Sequence, residues 1–223
     1  DFYIAARTRK DMQAGIDNKR SRLVLLAKNH DGYKNLIKLV TLSHLEGFYY
    51  KPRIDEELIK TYSENLICIS PSFSGEIAQA IKNKNKDKAL AKLNFYKSVY
   101  GKDNFYIEIT RHPEIPNHEP IMKELIALAK ETDTNIVAAH DIYYIHPEDR
   151  EARDTLVLVN TLGDASDKRD DSEDEDFSFI SGERAEELFK DIPEAIENTK
   201  KIADMCNIEI TLGKWIFPNY IVE

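Results

Sequence analysis

A few positions in this 223-residue chain combine side-chain type and placement in a way that suggests chemistry. Ser72 lies in the turn Pro71-Ser72-Phe73-Ser74-Gly75. His112 follows the apolar run Asn104–Thr110, and His140 with Asp141 closes the run that begins at Asn135; Tyr143 and Tyr144 come next. Imidazoles and carboxylates meeting at one end of a sheet are how hydrolytic zinc and manganese sites are built, since these ions take N and O donors from several strands. The plainer reading makes His112 and His140 ordinary loop histidines, and on spacing alone it has the better claim. No HExxH, CxxC or DxDxDG string occurs, and neither GxGxxG nor GxxxxGK[ST] is present. The Ser72 turn lacks the first glycine of GxSxG, so a serine-hydrolase elbow has no support.

The elements that must position these residues follow from apolar periodicity. Arg22–Lys28, Leu66–Ser70, Asn104–Thr110 and Asn135–Asp141 are short apolar runs suited to strands buried on both faces. Asp1–Arg7 reads as a further strand and Phe177–Ile180 as a short one. Between them, helical spacing predicts a helix capped by Asn29 or Asp31 that ends at Gly47, a short one through Leu58 and Tyr62, and others near 76–83, 86–99, 117–131, 148–162, 183–190 and 193–206. Strands alternating with helices imply an α/β fold, and the four main strands are expected to run parallel in one sheet. Ligands should then gather at the carboxyl ends of the strands, where the candidate residues lie.

The hydrophobic content of 42 % is enough for a real core, while charged residues reach 32 % and mean hydropathy is −0.50. No apolar run approaches the roughly 18 residues of a membrane helix, so no membrane partner is expected. The net charge of −9 argues against a simple basic nucleic-acid-binding domain. Much of it is local, because eight acidic residues against Lys168 and Arg169 fall within 164–176. That run reads as a solvated, mobile loop. Cys68 and Cys206 have no metal-type spacing and read as buried free thiols, which fits a reducing cytoplasm. Gly47-Phe48-Tyr49-Tyr50-Lys51-Pro52-Arg53 has two readings of equal standing. Its aromatics could stack on a nucleic-acid strand while its cations meet phosphates, or they could anchor a packed loop. With no initiator Met before Asp1-Phe2-Tyr3, the chain is expected to be part of something longer.

Several strings resemble the PHP (polymerase and histidinol phosphatase) domain found at the amino end of bacterial replicative polymerase alpha subunits. They are Leu23–Asn29, Gly32–Leu36, Glu46–Asp55, Phe105–Glu108, Pro193–Thr199 and Ile202-Ala203, in that order along nearly the whole chain. The resemblance implies a distorted β/α barrel, incomplete here because the first barrel strands would lie upstream of Asp1. It implies a single domain over 1–223, with 207–223 beginning the connection to a polymerase core. It also implies a metal cluster at the barrel mouth, active in some members as a 3′–5′ exonuclease and decayed in others.

Against that pattern the ligand set is depleted. The first histidine motifs of the family would lie upstream of Asp1. Asp1 stands where the family has glutamate, Arg22 where it has histidine, Ser72 where it has cysteine and Tyr143 where it has histidine. Asp1, His112 and Asp141 remain as a residual metal set, and His140 is near but off-register. No catalytic residue and no cofactor is expected in this fragment. Zn or Mn would enter only if the residual site were active, and Mg would serve the parent polymerase. The resemblance implies a parent that synthesises DNA on a template and contacts DNA. It makes the polymerase core, and a proofreading exonuclease subunit, the partners of this region. The rival readings are a metal-dependent exonuclease or phosphoesterase, and a free-standing interaction module.

Overall fold

A computed structural model describes residues 1–112, 115, 117–160, 176–215 and 217. The strands are β1 (Phe2–Ala5), β2 (Arg20–Ala27), β3 (Arg53–Ile54), β4 (Leu66–Ser70), β5 (Phe105–Ile109) and β6 (Asn135–Ala138). The helices are α1 (His30–Leu45), α2 (Glu56–Thr61), α3 (Glu76–Lys82), α4 (Lys86–Tyr100), α5 (His118–Glu131), α6 (Arg150–Asn160), α7 (Gly182–Leu188) and α8 (Pro193–Met205). The strands form one six-stranded sheet in the order β3-β1-β2-β4-β5-β6, which makes the fold α/β.

The expectation of four parallel main strands fails for one of the four. β4, β5 and β6 are parallel, but β2 runs antiparallel to β4 and to β1. The connections account for the parallel pairs and for the reversal between β1 and β2. β4 to β5 is bridged by α3 and α4, and β5 to β6 by α5, which are the crossovers that parallel pairing needs. Residues 6–19 join β1 to β2 through turns with no helix among them, so the chain reverses instead. The expected strand at Phe177–Ile180 is absent. Its backbone meets the 143–145 segment through bonds from Tyr143 N to Phe177 O, from Phe179 N to Ile145 O and from Phe177 N to Tyr144 Oη rather than through a strand ladder. The two-residue β3, inside a stretch expected to be loop, was not anticipated. The acidic run lies outside the described residues except for Asp176.

Alternation along the strands sorts the core. Leu23, Leu25, Leu66, Cys68, Phe105, Ile107 and Ile136 point to one face, beneath α3, α4 and α5. Ile67, Ile69, Tyr106 and Val137 point to the other, where Ile202 of α8 covers them. The central strands are therefore buried on both faces, which is why they read as unbroken apolar runs. α1 starts on its N-cap Asn29, whose side chain accepts from Asp31 N and Gly32 N. It lies so close to the Asn65 turn that a Cβ on Gly32 would meet Asn65 O at 2.2 Å. Cys68 is buried and Cys206 half-buried, both as free thiols.

Within the aromatic-basic string Arg53 is packed inside, while Phe48, Tyr50 and Lys51 remain exposed. This guanidinium is fully buried and donates to the carbonyls of Gly47, Asp17, Arg9 and Asp11, with Tyr49 over its face. It is not available to a phosphate.

Candidate functional site

The parallel strands bring the candidate residues to one place. Ser72 leaves the end of β4, Thr110 and His112 leave β5, and His140 and Asp141 leave β6. Because β2 is reversed, its beginning lies at this same end, and Arg22 N donates to Ser74 O at 2.8 Å. Phe2 pairs with Leu23, and Val24 with Ile69, so the start of β1 sits level with the end of β4. That offset carries Asp1 into the mouth. A cavity of about 600 Å³ opens there, and Asp1, Arg22, Ser72, Glu108, His112 and Asp141 are among the residues lining it. All three residues of the predicted metal set therefore reach one cavity.

They do not meet at one point. Asp1 is held by the Arg22 guanidinium in a charge-assisted ion pair. His112 Nε2 stands 3.5 Å from Asp141 Oδ2, and the imidazole holds the Asp141 carboxyl below its usual range. Among the described residues no three His, Cys, Asp or Glu side chains are grouped so as to hold a metal ion. His140 stacks on His112 with ring centroids 5.4 Å apart. Burial first, and then the neighbouring His112, push its pKa down.

Beneath the cavity runs a polar relay that sequence reasoning missed. Glu108 Oε1 accepts from both Ser72 N and Ser72 Oγ at 3.0 Å. Ser72 Oγ contacts Thr110 Oγ1 at 3.0 Å, which in turn contacts His118 Nε2 at 2.9 Å. The direction of the protons follows from counting them. Ser72 spends its only hydroxyl proton on Glu108, so Thr110 must donate to Ser72, and His118 Nε2–H must donate to Thr110. His118 is thereby fixed as the Nε2–H tautomer. Burial, aided by His112 and Arg111, draws its pKa down to about 4, which keeps the ring neutral. Its Nδ1 and the Nε2 of His112 are buried with no hydrogen-bond partner among the described residues. Phe73 stacks on His118 and Phe177 packs on His112, closing the walls.

One signal for this relay was legible. Glu108 is the lone charge in an otherwise apolar strand, and burial raises its pKa against the two Ser72 donors that lower it. A charged residue in a strand buried on both faces needs partners, and those partners are the relay. His118 had no such signal, because its placement depends on the turn between Thr110 and α5.

Comparison with known proteins places the chain in a family. The PHP domain family model matches residues 1–112. The DNA polymerase III subunit alpha of Borreliella burgdorferi is 41 % identical over 200 residues, covering 89 % of this chain and 17 % of that protein. Those of Treponema pallidum and Campylobacter jejuni are 32 % and 37 % identical, each over 222 residues, covering 99 % and 92 % of this chain and 19 % and 18 % of their own lengths. The chain thus spans less than a fifth of the length of these relatives. With the family model matching half of the chain, and with relatives of one kind aligned along most of it, the chain belongs to the PHP domain family.

Proposed function

We propose that this chain is the PHP region of a bacterial replicative DNA polymerase catalytic subunit, and that its role there is structural rather than catalytic. On this reading the sheet is part of the distorted barrel of the family. The parent extends primers on a DNA template with Mg, and this region braces the polymerase core. A proofreading exonuclease subunit is a further partner, and the setting is the cytoplasm.

The observation that carries the structural role is the Arg22–Asp1 pair inside the mouth. The residues present do not fit the metal cluster of the family. A permanent cation cannot ligate a metal and also repels one. At about 5 Å and an effective dielectric near 20, a unit charge opposes a divalent ion by roughly 6–7 kcal/mol. Ser72 is engaged with Glu108 and Thr110, and Tyr143 packs on Phe177. The competing nuclease reading is favoured by one observation, the unpartnered Nε2 of His112 beside Asp141.

The test uses the full-length parent with and without His112→Ala. Primer extension and 3′–5′ excision are measured on the same labelled DNA, with Mn²⁺ or Zn²⁺ supplied for excision. Extension should be present, and any excision should be indifferent to the substitution. Metal-dependent excision lost in His112→Ala would replace the structural reading with the nuclease one.

A further inference from the structure

We infer that the two surface loops gathered by Arg53 form a binding site for a single-stranded nucleic acid, with Phe48 and Tyr50 stacking on bases and Lys10, Lys19 and Lys51 meeting phosphates. The site lies at the β3 edge of the sheet and shares no residue with the mouth, so it stands apart from the structural reading above.

Arg53 ties the loops to each other. It donates to the carbonyls of Arg9, Asp11 and Asp17 in the segment before β2, and to that of Gly47 in the segment before β3. The side chains next to those carbonyls are the ones left outside. Phe48 is 53 % and Tyr50 67 % exposed, with Lys51 exposed beside them. On the other loop Lys10, Met12, Ile16 and Lys19 are exposed. Tyr50 has φ 60°, in the left-handed region that a bulky residue enters only under strain. Its ring is turned to solvent and stabilises no core, which leaves that strain without a structural reason. The ring is nevertheless held. Tyr50 packs edge-on against Tyr49 with centroids 4.7 Å apart, and Tyr49 lies over the buried Arg53 guanidinium. A rigid exposed ring needs little further ordering to stack on a base. Charge supplies the second half of the site. Residues 7–20 and 47–53 carry seven Lys or Arg against Asp11 and Asp17 alone. The nearby acids are already engaged, Asp17 by Arg7, Asp11 by Thr8, and Glu46, Asp55 and Glu57 by Arg9. Lys10, Lys19 and Lys51 stay exposed, with no ion pair among the described residues. Rings interleaved with free cations match the alternating bases and phosphates of a single strand, whereas a protein-docking face concentrates its apolar groups at the centre.

The probe is a fluorescein-labelled oligo(dT) of about 15 nucleotides, a length within the range such surfaces cover, followed by anisotropy as this chain is added. Binding at micromolar protein is expected, falling about twentyfold between about 50 and 200 mM salt, the slope of three phosphate contacts on a single strand. Phe48→Ala with Tyr50→Asn should weaken binding at least about tenfold and leave the salt slope unchanged. Asparagine suits the left-handed backbone, so the loop stays folded and the melting temperature should not fall. Tyr50→Trp should retain binding. Lys10→Gln with Lys19→Gln and Lys51→Gln should flatten the salt slope. An abasic strand should bind the unaltered chain no better than oligo(dT) binds the aromatic variant, and a blunt duplex should bind more weakly than the single strand. Oligo(U) should compete equally with oligo(dT), since neither the rings nor the lysines read the sugar. In the full-length parent, Lys10, Lys19 and Lys51 should react with an amine-labelling reagent and be protected by oligo(dT). Absence of binding, undiminished binding by the aromatic variant, a duplex or abasic strand bound as tightly, or a strong preference for one sugar would overturn the inference. So would lysines already shielded in the parent without DNA, which would assign the surface to a protein contact. None of these outcomes bears on metal-dependent excision, so failure here and failure of the structural reading of the mouth are told apart.

Discussion

Arg53 and Arg22 carry the same charge in opposite surroundings, and the difference sets what each is worth. Arg53 is fully buried and donates to four backbone carbonyls, those of Gly47, Asp17 and Arg9 in buried bonds and that of Asp11 in a part-buried one. Arg53→Met would leave those carbonyls without a donor, at about 1–3 kcal/mol for each that finds no other. A loss of roughly 4 kcal/mol in urea unfolding, or about 10 °C in melting temperature, is expected. Arg22 is half-exposed, so its pair with Asp1 contributes about 0–1 kcal/mol, and Arg22→Met should barely move the midpoint. Equal losses would refute this account. His118 gives a pH dependence at the same scale. Its folded pKa, about 4, lies below its ordinary value, so the unfolded chain takes up the proton first as pH falls. Stability from this group is full above about pH 6.5 and is lost as the pH drops toward about 4. Melting temperature should decline across that window, and His118→Gln, which keeps a donor for Thr110, should flatten the decline. An unchanged slope would show that His118 is not the group responsible.

The elements fit where backbone approaches backbone without a side chain between. Gly47 follows the end of α1, and a Cβ there would meet Arg53 O at 2.0 Å. Gly47→Ala must push the loop off β3, and with it the carbonyl that Arg53 holds. Destabilisation of about 2–4 kcal/mol is expected from the lost contacts, and a change within 0.5 kcal/mol would mean that the loop moves freely. The relation of α8 to β6 rests on a buried bond from Asn198 Nδ2 to Ile136 O at 2.7 Å. Asn198→Leu would strand that carbonyl, at about 1–3 kcal/mol.

At the scale of the molecule, the sheet is a divider between two apolar clusters of unequal size. The larger lies under α3, α4 and α5 and takes in Leu39 of α1, Leu58 and Ile59 of α2 and Ala195 of α8. The smaller joins Ile67, Ile69, Tyr106 and Val137 to Ile202 of α8. Removing α8 by truncation after Asp191 would expose the outer face of β4, β5 and β6. The truncated chain should bind a hydrophobic dye and lose its cooperative thermal transition. A sharp transition retained at a similar temperature would show that α8 is an ornament. Among the described residues, no helix is long and apolar enough to cross a membrane.

The sequence by itself determined the elements and the chemistry available to them. Caps such as Asn29, unbroken apolar runs such as Leu66–Ser70, and helical periods such as that of α5 are local signals, and each was legible residue by residue. That His112 and Asp141 stand at strand ends was legible too, and Asp1, which came from the resemblance to PHP domains, lines the same cavity. Tertiary structure alone decided the direction of β2, because a turn-linked reversal and a helical crossover leave the same apolar run behind. It also decided that Arg22 faces Asp1, that Arg53 is buried rather than exposed, and that Glu108, Ser72, Thr110 and His118 share one chain of protons. Those residues are up to 46 positions apart, from Ser72 to His118, and only the packing of β4 against β5 and of α5 above them brings the hydroxyls and the ring within hydrogen-bond reach.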